Sequence, residues 1–119
     1  MNATIWKKLA DAHHEIANVF VDEMIRPIDP ATARACVYFI QGEDGGPIKI
    51  GFTRYLPGRL ADLQASSPAR LRVVAASEGG RDVEGVLHDR FAKHRLHGEW
   101  FAPYEELVAF VESIRARTA

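Results

Sequence analysis

The sequence predicts an α+β protein, a small sheet of three strands flanked by helices and preceded by one extra helix. Apolar residues recur at helical spacing in four separate stretches, and three short β-favouring runs lie among them. Their order is α, β, β, α, β, α, α, with no internal repeat. A chain of 119 residues is also the size of one ordinary domain with a single modest core.

Over residues 4–24, apolar side chains fall at Ile5, Leu9, Ala12, Ile16, Val19, Phe20 and Met24, a spacing that forms one helical stripe. Thr4 is placed to cap it. Pro27 and Pro30 mark its end, so IRPIDP reads as a turn or linker. The chain thus divides into an N-terminal amphipathic helix with linker over residues 1–30 and a second unit over residues 31–119.

Residues 35–40 and 48–53 favour strand, and the QGEDGGP between them holds the Asp-Gly-Gly that hairpin turns prefer. A β-hairpin follows. LPGRLADLQASS sets Leu56, Leu60 and Leu63 at helical spacing, and residues 71–77 form a third strand closed by Glu78, Gly79 and Gly80. RDVEGVLHDRFAKHRL places Val83, Val86, Leu87, Phe91 and Leu96 on one helical side. HGEWFAP is a break rich in aromatics. The last helix, YEELVAFVESIRARTA, carries Tyr104, Leu107, Val108, Val111 and Ile114 on one face. A small mixed sheet covered by helices on one side satisfies this order.

The formal net charge is −1, with no run of like charge and no low-complexity tract. That balance excludes disorder and a polybasic tail, though charge can be segregated on a surface without altering the total. The single cysteine, Cys36, can form no internal disulfide and has no cysteine neighbour for a zinc site. No apolar run approaches a membrane span, and the N-terminus lacks the apolar core of a signal peptide. A cytoplasmic protein without membrane partners is expected.

Chemistry concentrates in VYFIQGEDGGPIKIGFTR. Tyr38 and Lys49 are large polar side chains set among core-like residues, one on each strand of the hairpin. Lys49 takes the face opposite Ile48 and Ile50, beside Gly51, which permits close backbone approach. Arg59 stands early in the following helix. Taken singly, such a tyrosine packs at a sheet edge and such an arginine lies on a solvated face.

In combination they say more. Val37-Tyr38-Phe39, Lys49-Ile50-Gly51, Arg59, Glu84 in the helix after the third strand, and the closing Gly98-Glu99-Trp100-Phe101 resemble the GIY-YIG nuclease superfamily. The likeness is to its phage and bacterial branch, in which the second motif reads KIG and a GEWF-like segment closes the domain. It runs from about residue 37 to residue 114. It implies a small, mostly antiparallel three-stranded sheet and a metal-dependent nuclease acting on DNA, with Mg²⁺ or Mn²⁺ as cofactor.

Position by position, the resemblance makes Tyr38 the counterpart of the GIY tyrosine and Lys49 that of the YIG tyrosine. Arg59 falls at the catalytic arginine and Glu84 at the metal-binding glutamate. Phosphodiester hydrolysis needs an oriented water, a charge partner for phosphate oxygens and stabilisation of the leaving oxygen. An arginine fork fits a phosphate, and one carboxylate suffices for a hard divalent cation that keeps its waters. Cys36-Val37-Tyr38 and Lys49 depart from the name motifs. A lysine there more naturally contacts phosphate than acts as a base, which leaves the water to Tyr38.

His88 lies four residues after Glu84 and so shares its helix face, suiting a role beside the site or against substrate. Trp100 and Phe101 read as core residues pinning the last helix to the sheet. Glu99 reads as structural, the alternative being that it faces the cleft to supplement Glu84 or to orient a basic residue. Arg54, Arg70 and Arg72 make a locally basic, substrate-binding face. Three functions follow: a DNA endonuclease, a non-catalytic nucleic-acid-binding module of the same fold, or an interaction protein whose N-terminal helix pairs with a second copy or a partner.

Overall fold

Five consecutive residues, Cys36 to Ile40, are fully buried. A strand that loses alternation in this way must be covered on both faces. The computed structural model describes residues 21–118 and shows how. After a helical turn at 21–24 come β1 (Arg26–Pro27), β2 (Cys36–Gly42), β3 (Gly45–Thr53), α1 (Leu56–Ala65) and β4 (Leu71–Glu78). Then follow α2 (Arg81–Arg90), a 3₁₀ turn (Ala92–His94), β5 (Arg95–His97), β6 (Trp100–Phe101) and α3 (Glu105–Arg117). The strands form one sheet in the order β1-β4-β2-β3-β6-β5, with every pairing antiparallel.

Two cores result. On one face Val37, Phe39, Ile48, Ile50 and Val74 pack against Val83, Leu87 and Phe91 and against Leu107, Phe110, Val111 and Ile114 of α3. On the other, Cys36, Tyr38, Ile40 and Ala76 meet Leu56, with Leu60 and Leu63 of α1 beside them. The expected one-sided cover is therefore corrected to helices on both faces.

The expected hairpin is present, with its turn at Glu43 and Asp44. β3 begins inside the predicted loop because Gly45 (φ 93°) and Gly46 (φ 90°) adopt the left-handed region that other residues avoid. The sheet has six strands rather than three and is antiparallel rather than mixed. IRPIDP contributes β1, an edge strand in which Pro27 pairs with Ser77, and the Arg26 amide donates to Ser77 Oγ. HGEWFAP is no simple break: it folds as the β5–β6 hairpin around Gly98 (φ 55°).

That hairpin also ends the preceding helix early. α2 stops at Arg90, and Leu96, expected on its apolar side, lies exposed on β5. In α3 the buried stripe is Leu107, Phe110, Val111 and Ile114, whereas Tyr104 and Val108 face solvent. The expected stripe of Ile5, Leu9, Ile16, Val19 and Phe20 lies outside the described residues. Just beyond it, Val21 and Ile25 are buried in the larger core. No helix among the described residues is long and apolar enough to cross a membrane.

Candidate functional site

The register of β2 against β3 sets the site. Tyr38 pairs with Gly51 and Ile40 with Lys49, so Tyr38 and Lys49 point to the same face as diagonal neighbours. Ile48 and Ile50 point to the other. A Cβ at Gly51 would lie 2.5 Å from Cζ of Tyr38, so only glycine leaves room for the ring.

α1 delivers the arginine. Thr53 Oγ1 accepts the Tyr55 amide at 3.2 Å, Pro57 stands in the first turn, and Leu56 is buried as the anchor. This start to the helix places Arg59 beneath the sheet, where its Nε donates to Tyr38 Oη at 3.3 Å. Burial raises the Tyr38 hydroxyl above its ordinary value of 10.0, opposed by Arg59 and aided by the charges of Glu99 and Glu84. Tyr38 is therefore a neutral phenol at neutral pH.

Lys49 is buried, its Nζ 2.8 Å from Glu99 Oε2 and 5.5 Å from the Trp100 ring centroid. Trp100 is only half-buried and covers Lys49, while Phe101 is the fully buried member of the pair and packs in the core with α3. β6 ends beside Lys49, and β3 runs on. The Ile50 amide still donates to the Glu99 carbonyl at 3.0 Å, but the Ile50 carbonyl has no strand partner there and accepts His88 Nε2 at 2.8 Å. Through this notch the two faces of the sheet meet. Glu84 and His88, one turn apart on α2, come together with Glu99, and one donor atom from each lies within 4.8 Å of the others. Arg95 of β5 reaches His88 Nδ1 at 3.2 Å.

The structure thus gathers Tyr38, Lys49, Arg59, Glu84 and His88 around Glu99. The sequence favours a structural role for Glu99 over a cleft-facing one that supplements Glu84 or orients a basic residue; the structure shows the cleft-facing arrangement, and Arg95 was passed over. The one available signal was a charged residue leading into an aromatic pair. The predicted basic face is divided. Arg54 is exposed just past the end of β3. Arg70 is exposed at the far end of the hairpin, 4.0 Å from Glu43. Arg72 pairs with Gln41 and points away from the face that carries Tyr38, Ile40 and Val73. Cys36 is buried, and burial pushes its thiol up to about 11, which removes it from any nucleophilic role.

The fold is a small α+β domain whose antiparallel sheet carries one polar notch. The chain belongs to the T5orf172 domain family, whose model matches residues 35–115, a span from just before β2 into α3. That domain is related to phage nuclease-type modules. No curated protein and no solved structure matches the chain.

Proposed function

We propose that the chain is a metal-dependent DNA endonuclease of GIY-YIG type that hydrolyses phosphodiester bonds. The observation that carries this reading is the convergence of a Tyr38–Arg59 pair with the Glu84, His88 and Glu99 cluster at one notch in the sheet. Two carboxylates within 4.8 Å repel each other, and a module that only binds phosphate gains nothing from them. Lys49 offsets one of them.

The donor set fits a divalent cation. Each of Glu84, His88 and Glu99 offers one donor atom within 4.8 Å of the others, and carboxylate oxygen and imidazole nitrogen are ligand types that a divalent cation takes. Glu84 is the principal ligand, with Glu99 beside it. Bound there, Mg²⁺ or Mn²⁺ supplies Lewis-acid stabilisation of charge on the phosphate and leaving oxygens.

The chain's own residues do the rest. Arg59 has donors beyond the Nε that it gives to Tyr38, and these face a phosphate oxygen as charge grows on it. Tyr38 is fully buried and keeps its own proton, so its hydroxyl fixes Arg59 rather than serving as a phenolate base. Lys49 adds a positive charge from the floor, held in place by Glu99. Arg54 grips the DNA backbone without reading sequence.

Incubation with supercoiled plasmid and Mg²⁺ or Mn²⁺ tests the reading. Metal-dependent nicking by the parent that vanishes in Glu84→Gln supports it. A folded parent that shifts DNA on a gel yet leaves the plasmid intact replaces it with a non-catalytic binding module.

A further inference from the structure

The hydrogen bonds of His88 fix its tautomer from two sides. The Ile50 carbonyl can only accept, so Nε2 carries the proton. The Arg95 guanidinium can only donate, so Nδ1 carries the lone pair. A histidine that gives one ring N–H to a backbone carbonyl and keeps a lone pair on the other nitrogen has the arrangement typical of a metal-ligating histidine. Here a ring nitrogen of His88 lies within 4.8 Å of donor atoms of Glu84 and Glu99, and the cation standing on the lone pair is Arg95.

We infer that His88 Nδ1 is a metal ligand beside Glu84, that Arg95 is a placeholder which an arriving ion displaces, and that the site consequently prefers Mn²⁺ and Zn²⁺ to Mg²⁺. The inference deepens the nuclease reading and rests on it for the presence of an ion. Its physical basis is ligand type. Carboxylate and water suit Mg²⁺, whereas an imidazole nitrogen adds far more to a borderline ion. The placeholder is equally specific. Arg95 is exposed on β5, and its guanidinium lies 5.5 Å from the Phe101 ring centroid, so it can leave Nδ1 and remain stacked on the ring. A positive group on the Nδ1 lone pair competes with an ion when it arrives.

The test needs no DNA. Long-range ¹H–¹⁵N spectra of the parent read the tautomer directly, and titration with diamagnetic Zn²⁺ should move the Nδ1 resonance of His88 while Nε2 stays protonated. Mn²⁺ binding followed by electron paramagnetic resonance, with Mg²⁺ as competitor, reads the preference. His88→Gln keeps a donor for the Ile50 carbonyl and should weaken Mn²⁺ at least about tenfold while changing Mg²⁺ far less. Arg95→Gln should tighten Mn²⁺ severalfold, and Glu84→Gln should weaken both ions. An unmoved Nδ1 resonance, or a His88→Gln protein that keeps the parental preference for Mn²⁺, overturns the inference. Zn²⁺ at Nδ1 in a protein that never nicks DNA overturns the nuclease reading alone.

Discussion

The ring of Tyr38 occupies the space that any side chain at Gly51 would need, with the ring Cζ 2.5 Å and Cε1 3.1 Å from where a Cβ would stand. Both residues lie in the middle of the sheet, paired across β2 and β3, so neither backbone can retreat. Gly51→Ala should destabilise the fold by about 1–3 kcal/mol through overpacking and should turn the Tyr38 hydroxyl away from Arg59. A urea midpoint and a nicking rate measured together check this. A stable Gly51→Ala protein that cuts normally would remove the ring's position from the mechanism.

Glu84→Gln changes no volume and deletes a charge on a half-buried helix face. Its unfolding midpoint should match the parent within the usual ±0.5 kcal/mol of a surface change, while plasmid nicking disappears and most DNA binding remains. Arg59→Ala should cost both binding and rate, since the same side chain faces phosphate and holds Tyr38.

Lys49 and Glu99 should couple. Lys49 is buried and Glu99 is more than a third exposed, so replacing Glu99 with Gln strands a cation whose partner had been partly in water. A loss of about 1–2 kcal/mol is expected, below the value for a fully buried pair. Lys49→Met combined with Glu99→Gln should recover much of it, and the cycle of urea unfolding free energies measures the coupling.

Acid should expose a second ion-pair cluster away from the notch. Burial alone would push the Glu106 carboxyl up, but His94, Lys93 and Arg90 hold it below its ordinary value of 4.5. Lys93 Nζ and His94 Nε2 each lie 3.5 Å from Glu106 Oε2. A depressed folded value means a contribution that is present above pH 4.5 and lost as pH falls through the folded value. Glu106→Gln should lower stability near neutral pH by about 0.5–1 kcal/mol and flatten the acid limb of the stability profile, read as urea midpoint against pH.

The long elements were legible because each carries its own period. Leu56, Leu60 and Leu63 announce α1, and Val83 and Leu87 announce α2. β5 and β6 have three and two residues, too few to show alternation, and Pro27 disguises β1 as a linker. Two-sided cover was written in Cys36 to Ile40, but Tyr38 in their midst read as a functional intruder rather than as a buried residue with a functional tip. The site was half legible for a similar reason. Tyr38, Lys49, Arg59 and Glu84 stand in or next to regular elements whose faces can be counted. Glu99 and Arg95 belong to a hairpin whose register exists only once β6 has docked on β3.

Among the described residues, the two margins of the sheet are short strands. β1 is two residues long and includes a proline that has no amide proton to offer. β5 is three residues long and sets Arg95 and His97 on either side of Leu96. Neither can template a neighbour's strand. Copies of the protein at high concentration should therefore remain separate particles, and any assembly they form has to be made by helices and side chains rather than by extension of the sheet.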